Sequence, residues 1–445
     1  MKKIVLAYSG GLDTSIILKW LQENYNAEVI AYTSDIGQEI DRKKIFRNAK
    51  LLGVKKIIIE DLKNIFVKDY VFPMIRAHAV YEGIYLLGTS IARPLIAKRQ
   101  IAIAKKFKAY AVSHGATGKG NDQVRFELGY AFFGRGKIKT IAPWREWKLQ
   151  SRADLIRYAK KNNIPIPKDK KGAPPFSVDD NIFHTSTEGK VLENPKNSAP
   201  EFIFQRTISP EKAPNKKTKV KITFKNSDPV AVNGKKLKPE KLLEKLNDIA
   251  GKNAIGRVDL VENRFIGIKS RGVYETPGGT LLYIAHRAIE SVTLDKRTAH
   301  DKERVMPEYA ELVYNGYWFS KKRIQLQKII DKKRNQVTGE INLSVFKGNE
   351  SLATYFQQCL PNYQVFDERR YFAPGGEVCL LNILGVSCAF TICEDLWEPE
   401  PIQQAKDAGA QFVIRAQSGT LSGSNFALGQ LCSISILGAD ISPSS

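Results

Sequence analysis

A glycine-rich turn near the start of the chain has the residue types of an anion-binding loop. An apolar run at residues 4–7 is followed by Ser9, Gly10 and Gly11, and apolar residues recur at helical spacing from Ile16 onwards. Adjacent glycines let bare backbone N–H groups approach a ligand closely. At a helix N-terminus such groups, together with the helix dipole, favour an anion such as a phosphate. An ordinary strand-to-helix turn has the same outline, so both interpretations stay open at this point.

The spacing within this glycine turn (residues 9–15) excludes two common nucleotide-binding motifs. It matches neither the loop that ends in Gly-Lys-Ser/Thr nor G-x-G-x-x-G. The segment "SGGLDTS" instead fits the pattern S-G-G-x-D-T/S, which resembles the pyrophosphate loop of the N-type ATP pyrophosphatases. That resemblance implies an enzyme that splits ATP between its α and β phosphates and adenylates a substrate.

Alternating strand and helix patterns over residues 1–165 predict an α/β domain with a parallel sheet and helices on both faces. The predicted strands are residues 4–7, 28–33, 55–59, 110–113 and 138–141. Ligands of such sheets bind at the carboxyl ends of the strands. The glycine-rich polar stretch at 114–122 follows the fourth strand, and we therefore expect it to share one crevice with the glycine turn.

Residues 166–349 have the pattern of an α+β domain. The segment 166–219, rich in Pro, Lys, Ser and Asn, predicts an extended connector. A helix is predicted with Thr276 as its N-cap and Pro277 at its first position. A second helix is predicted over residues 307–335, and a strand over 340–346 closes the domain.

Charge and cysteine usage both change near residue 349. Residues 1–349 carry a net charge of +29, whereas residues 350–445 carry −6 and contain all five cysteines. The absence of any C-x-x-C pair argues against a zinc site. This change predicts a domain boundary after residue 349. Together with the change of pattern after residue 165, it predicts three domains, 1–165, 166–349 and 350–445. A gene fusion, a degraded gene or an assembly error would each produce such a junction.

The net charge of +23 is typical of some nucleic-acid-binding proteins. The lysines, however, form pairs such as Lys105-Lys106 without the interleaved aromatic residues of a base-stacking surface. We therefore expect solvated surfaces and no nucleic-acid partner. No stretch approaches 18 consecutive apolar residues and no signal-peptide pattern is present, which predicts a cytoplasmic protein without a membrane partner.

Several long stretches of residues 1–349 resemble argininosuccinate synthase. They include "FVKDYVFPMIRAHAVYEGIYLLGTSIARPLIAK", "HGATGKGNDQVRFE" and "GRVDLVENRFIGIKSRGVYETPGGT". The resemblance implies a ligase of arginine biosynthesis. Citrulline would attack the α-phosphate of ATP to give citrullyl-AMP and pyrophosphate, and the amine of aspartate would then displace AMP to give argininosuccinate. It also implies Mg²⁺ with the ATP and a homo-oligomer, which is a tetramer in the family.

The resemblance also implies where the three substrates bind. ATP would contact Ala7, Tyr8, Ser9, Gly10, Gly11, Leu12, Asp13, Thr14, Ser15, Ser34 and Gly115. Aspartate would contact Thr117, Asn121 and Asp122. Citrulline would share Asn121 and contact Tyr85, Ser90, Arg125, Ser177, Ser186, Glu262 and Tyr274. Asp13, Ser15 and Asp122 are the expected catalytic residues, and no side chain is predicted as a metal ligand.

The residue types suit these roles. The planar guanidinium of Arg125 can pair with the carboxylate of citrulline through two hydrogen bonds. The carboxylates of Asp122 and Glu262 can accept hydrogen bonds from ammonium groups. Ser34 stands where a small residue such as alanine is expected, which costs little if the backbone makes the contact.

After residue 349 the sequence departs from this family, which continues with a strand and a long C-terminal helix that clasps neighbouring subunits. Residues from about 357 to 411 resemble the nitrilase-type glutaminase domain of glutamine-dependent NAD synthetase, and this implies a partial α/β tail with Cys393 at the nucleophile position. Gln357 stands where a lysine is expected and the half with the catalytic glutamate is missing, so we expect an inactive fragment. Two alternatives stay open, a catalytically dead fusion and a glutamine-dependent amidotransferase.

Overall fold

The computed structural model describes most of the chain. The described residues are 2–117, 120–149, 151–166, 176–347, 378–383, 386–392, 399–416 and 435–437. The chain divides into two compact units, residues 1–349 and residues 350–445. In the described part of the chain, no helix is both long and apolar enough to cross a membrane.

A five-stranded parallel sheet forms the core of the N-terminal half of the first unit. Its strands are β1 (Lys2–Ala7), β2 (Ala27–Asp35), β3 (Lys56–Asp61), β4 (Ala111–Ser113) and β5 (Lys139–Ile141), in the order β3-β2-β1-β4-β5. The strand order reverses between β1 and β4, and a ligand crevice is expected at the carboxyl ends of these two strands. The predicted α/β fold of this domain is confirmed.

Helices cover both faces of this sheet, which is why β1 is buried throughout its centre. On one face, Ile4 and Leu6 pack with side chains of α1 (Leu12–Tyr25), α2 (Arg42–Leu51) and α8 (Arg152–Lys161). On the other face, Val5 packs with side chains of α5 (Gly88–Lys106) and α6 (Asn121–Gly134). Shorter helices are α3 (Lys63–Phe66), α4 (Phe72–Arg76) and α7 (Pro143–Glu146), with a π-helical turn at Val67–Val71.

The second half of this unit has the predicted α+β architecture. One sheet has the order β10-β9-β8-β13, built from β8 (Thr218–Lys225), β9 (Asp228–Val232), β10 (Lys235–Lys236) and β13 (Gly339–Val345). The other has the order β11-β12-β7-β6, built from β6 (Ser177–Asp180), β7 (Thr185–Glu188), β11 (Arg257–Asn263) and β12 (Lys269–Glu275). The helices are α9 (Pro239–Gly251), α10 (Pro277–Thr293), α11 (Lys296–Tyr314) and α12 (Lys321–Ile330).

The helix predicted over residues 307–335 is wrong in both its start and its continuity. α11 begins eleven residues earlier, where the Asp295 side chain accepts a hydrogen bond from the Thr298 backbone N–H at 2.9 Å, and it runs through Pro307. It ends before Gly316, which has a φ of +88°, the left-handed conformation that closes helices. A new N-cap, Ser320, then starts α12.

The described part of residues 350–445 contains one helix and four strands. They are β14 (Cys379–Ile383), β15 (Val386–Ile392), α13 (Pro399–Asp407), β16 (Phe412–Ala416) and β17 (Ser435–Leu437). β15 and β16 are parallel, whereas the other two pairs are antiparallel. Gln357 and Cys393 lie outside the described residues.

A buried glutamine joins the two strands that border the expected crevice. The Gln100 amide nitrogen donates to the carbonyl of Val5 in β1 and to the carbonyl of Ser113 in β4, both at 2.8 Å. Its carbonyl oxygen accepts from the Tyr130 hydroxyl of α6 at 2.5 Å. The side chain is fully buried, so water cannot replace these bonds.

We expect Gln100→Leu to lower the free energy of unfolding of this unit by about 1–3 kcal/mol, since buried polar groups would lose their partners. Thermal unfolding followed by circular dichroism measures the change. Gln22→Leu is the matched control, because the Gln22 side chain is only partly buried and its amide donates to a single carbonyl, that of Leu52. An equal loss of stability in the two variants would contradict this role of Gln100.

Candidate active site

The conformation of the glycine turn is fixed by its contacts with α2. Gly10 has a φ of +78°, and a Cβ at this position would lie 2.8 Å from Cγ1 of Ile45. The Asn48 side-chain amide donates to the carbonyl of Gly10 at 3.1 Å. Glycine is therefore required here both for its backbone conformation and for the close approach of α2.

The start of α1 is open for an anion. Gly11 is the N-cap, and within the described residues no side chain caps it. The Ser9 and Thr14 hydroxyls lie 3.0 Å apart beside it. The Ser15 hydroxyl is turned inward to 3.1 Å from the Tyr8 hydroxyl. Backbone N–H groups at such an uncapped N-terminus suit a phosphate.

The loops that follow β1 and β4 lie against each other, as the sequence predicts. A Cβ on Gly115 would lie 3.3 Å from Cγ2 of Thr14 and 3.5 Å from Cδ1 of Ile17. On the other side of β1, Ser34 is buried near the end of β2. The predicted ATP residues thus lie on adjacent strands at one edge of the sheet.

Asp122 lies at the centre of a network of charges in which Arg125 is buried and the other members are half-buried. Arg93 donates to it through Nε and Nη2 at 2.9 and 2.7 Å, and Arg125 donates to its other oxygen at 3.0 Å. Arg93 also pairs with Asp179 of β6 at 2.6 Å. Burial acts to raise the pKa of Asp122, but the two guanidinium groups outweigh it and hold this pKa below its usual value. For Asp179, burial dominates and raises the pKa.

The predicted citrulline residues cluster around aromatic rings. Tyr85 stacks on Tyr274 with ring centroids 4.6 Å apart, and both rings are buried. Glu262 of β11 accepts a hydrogen bond from the Tyr314 hydroxyl at 2.6 Å, and burial raises its pKa. In the described part of the chain, the Ser90 hydroxyl and Oε2 of Glu262 are buried without a well-formed hydrogen bond. A ligand that hydrogen-bonds to these two atoms would satisfy both of them.

The remaining predicted residues lie at the borders of this cluster. Asn121 begins α6 and accepts a hydrogen bond from the backbone N–H of Phe265 at 3.0 Å. Ser186 is buried in β7 and lies opposite Tyr274 of β12 in the strand register. Thr117 and Ser177 are exposed. Among the described residues, the Ser177 side chain has no hydrogen-bond partner that would join it to the others.

Several charged and aromatic residues near Asp122 and Glu262 were not predicted from the sequence. They are Arg93, Asp179, Glu188, Arg264 and Tyr314. Arg264 and Glu188 form an ion pair at 2.7 Å in which burial raises the pKa of Glu188. Arg93 could have been found from the sequence, since it is a lone charge between the apolar residues Ile91 and Leu95.

The fold and this cluster define the class of protein. It is a nucleotide-binding α/β domain of the HUP kind joined to an α+β domain. Residues 3–165 match the family model described as "Arginosuccinate synthase N-terminal HUP domain", and residues 176–359 match "Arginosuccinate synthase C-terminal domain".

Curated relatives match the same part of the chain. The argininosuccinate synthase of Pelagibacter ubique is 79% identical over 348 residues, which are 78% of this chain and 88% of that protein. The argininosuccinate synthase of Parvibaculum lavamentivorans is 60% identical over 348 residues, or 78% of this chain and 85% of that protein. The chain belongs to the argininosuccinate synthase family.

A solved structure of glutamine-dependent NAD+ synthetase from Acinetobacter baumannii is also similar to part of this chain. It is 23% identical, with a TM-score of 0.16, over 22% of this chain and 21% of that one. A likeness this low carries no structural conclusion, so the nitrilase-like interpretation of the tail stays a prediction.

Gly10→Ala is expected to lower citrulline-dependent pyrophosphate release at least tenfold at fixed ATP and to raise the KM for ATP. The added Cβ would press on Ile45 and the φ of +78° disfavours alanine, so the backbone N–H groups of the turn would move. Strain of this kind costs about 1–3 kcal/mol, and 1.4 kcal/mol is a factor of ten.

The matched control is Gly136→Ala in the turn after α6. Gly136 has a φ of +71°, and nothing lies within 4 Å of an added Cβ. It should lose a similar amount of stability and keep its KM for ATP. An unchanged KM for ATP in Gly10→Ala would contradict the phosphate-binding role of the turn.

Proposed function

We propose that this chain ligates citrulline and aspartate to argininosuccinate, by way of citrullyl-AMP, with release of AMP and pyrophosphate. The proposal rests above all on one observation. The glycine turn, the Asp122 network and Glu262 with its neighbours all lie within the residues that match the two argininosuccinate synthase family models, 3–165 and 176–359. This reaction makes the chain a carbon–nitrogen ligase of arginine biosynthesis.

In this proposal the glycine turn binds the phosphates of ATP. Its backbone N–H groups and the α1 dipole would stabilise the charge that develops on the departing pyrophosphate. The turn offers two oxygen ligands of the kind that Mg²⁺ binds, the Asp13 carboxylate and the exposed Ser9 hydroxyl. Mg²⁺ would enter with ATP and neutralise phosphate charge. Gly115 and Ser34 would border the nucleotide.

Citrulline would bind among the predicted citrulline residues that surround the stacked Tyr85 and Tyr274 rings. Oε2 of Glu262, which has no well-formed hydrogen bond among the described residues, suits its ammonium group, and the buried Ser90 hydroxyl would supply a further hydrogen bond. Arg125 already gives Nε and Nη2 to the carbonyl of Tyr314 at 3.0 and 2.8 Å. The edge of its guanidinium that remains for the carboxylate of citrulline is therefore the Nη1/Nη2 edge, of which Nη1 contacts Asp122.

Aspartate would bind between the loop after β4 and the start of α6. The carboxylate of Asp122 would accept a hydrogen bond from the amine, and Thr117 and Asn121 would hold the rest of the molecule. The three substrates would then lie side by side, and positioning alone can supply a large part of the rate enhancement. Ser177 and Ser186 are proposed as outer contacts of citrulline.

Three earlier expectations stay predictions. One is the cytoplasmic location. Another is the oligomeric state, which we expect to be less than a clean tetramer; the C-terminal family model matches this chain only to residue 359. The third is an inactive tail, with Cys393 an ordinary thiol.

The reaction is tested by measuring pyrophosphate release from Mg-ATP with citrulline alone, then with aspartate added, and then with glutamine in place of aspartate. We expect release with citrulline and steady turnover only with aspartate. Cys393→Ala is the control for the tail and should leave both rates unchanged. Glutamine-dependent turnover that this variant abolishes would favour the amidotransferase, and a folded protein without any release would favour a dead fusion.

Asp122→Ala is expected to abolish argininosuccinate formation and to leave citrulline-dependent ATP cleavage partly intact. The reason is that only the second step needs the amine of aspartate. Product formation and pyrophosphate release, measured in the same samples, separate the two steps. The exposed Asp69 provides the control variant Asp69→Ala, which should change neither. Equal loss of both steps, in a variant that is still folded, would refute the assignment of Asp122 to aspartate.

A further inference from the structure

Tyr314 contacts two members of the proposed citrulline set at once. It is the last residue of α11 and is fully buried. Its hydroxyl donates to Oε1 of Glu262 at 2.6 Å. Its backbone carbonyl accepts from both Nε and Nη2 of Arg125. One residue from a distant helix thus holds the carboxylate and the guanidinium that are proposed for the two charged ends of citrulline.

The ring of Tyr314 is held rigidly in place. It stacks on Tyr81 with centroids 3.7 Å apart and planes 6° from parallel. The Tyr314 and Tyr85 rings meet edge to face, with their centroids 6.2 Å apart and their planes at 89°. The Tyr81 hydroxyl in turn donates to the carbonyl of Asn263, the residue after Glu262, at 2.8 Å. Tyr81 therefore links the Tyr314 ring to strand β11, and the Tyr314 hydroxyl has little freedom to leave Glu262.

The end of α11 is also shaped around Arg125. Gly316 follows the helix with a φ of +88°, and a Cβ there would lie 3.0 Å from Cα of Arg125. This close approach explains why the carbonyl of Tyr314 meets the guanidinium so directly. A larger residue at position 316 would separate the helix end from α6.

The hydrogen bond from Tyr314 also bears on the charge of Glu262. Burial raises the pKa of Glu262, and donation from Tyr314 acts in the opposite direction. Burial and the charge of Glu262 both raise the pKa of Tyr314, so its proton stays on the phenol oxygen. Other titratable groups near Glu262 are Arg125, Tyr274, Glu188, Tyr81 and Tyr85.

We propose that Tyr314 is a positioning residue for citrulline. It occupies Oε1 of Glu262, so that Oε2 is the oxygen left for the ammonium group, and it fixes the edge of Arg125 that meets the carboxylate. This inference rests on the proposed function. It adds a specificity-determining contact, since only a ligand with an ammonium group and a carboxylate at this separation would satisfy both held groups.

Tyr314→Phe tests the proposal, because it keeps the ring and the backbone carbonyl and removes only the hydroxyl. We expect the KM for citrulline to rise about tenfold, the size of one lost hydrogen bond to a charged group. The values of kcat and of the KM for ATP should change little. The acid limb of kcat/KM for citrulline should move to higher pH, because the carboxylate of Glu262 loses one of the groups that lower its pKa, the others being Arg125 and Tyr274.

Tyr309→Phe is the matched control on the same helix. Tyr309 is also fully buried, and its hydroxyl donates to Oε1 of Gln327 at 2.6 Å, a residue outside the proposed site. The Tyr309→Phe variant should lose a comparable amount of stability without changing the KM for citrulline or the acid limb of kcat/KM. Two results would overturn the role of Tyr314: an unmoved KM and pH limb in Tyr314→Phe, or the same shifts in Tyr309→Phe.

Direct citrulline binding by calorimetry separates this inference from the proposed function. If the full chain binds citrulline and Tyr314→Phe binds it equally well, the positioning role is wrong and the function stands. If the unmodified chain binds no citrulline, the proposed function fails, and the positioning role fails with it. A weaker affinity in Tyr314→Phe alone supports both.

Discussion

The pairing of two arginine side chains, Arg125 buried and Arg93 half-buried, is the constraint on which the rest of the proposed site depends. A guanidinium that leaves water must have its N–H groups paired, or it destabilises the fold strongly. Arg125 is paired by Asp122 and by the carbonyl of Tyr314, and Arg93 by Asp122 and Asp179. These partners come from α6, α11 and β6. The contacts that pair the arginines therefore also hold these elements around the proposed site.

Local sequence patterns predicted the fold wherever an element carries its own signal. The five strands of the parallel sheet are apolar runs between polar turns, and Thr276-Pro277 marks the start of α10 as expected. β7 was missed, inside a segment that was expected to be an extended connector, because its sequence "TSTE" has no apolar alternation. Pairing with β12 buries it and makes it a strand. α11 was misplaced because Pro307 was taken for a helix start although the helix passes through it.

The candidate site shows the same difference between signals that are local in the sequence and contacts that form only in the folded chain. The glycine turn could be found because its residues are adjacent in sequence and their spacing is rare. Arg93 and Asp179 are separated by 86 residues, and Glu262 and Tyr314 by 52. No spacing rule connects such positions, because the first pair joins α5 to β6 and the second joins β11 to α11, and these elements meet only in the folded chain. The proposed ligand-contact residues came from family resemblance, and the residues that hold them in place came only from the structure.

The pairing of Asp122 bears on what this carboxylate can do in the proposed reaction. Arg93 and Arg125 hold its pKa below its usual value, so it remains ionised throughout the ordinary pH range. A carboxylate stabilised in this way is a weak base but a good hydrogen-bond acceptor. It therefore suits the orientation of the amine of aspartate better than removal of its proton. An ammonium group bound beside Asp122 would then add a further cationic partner to this carboxylate and leave both guanidinium groups paired.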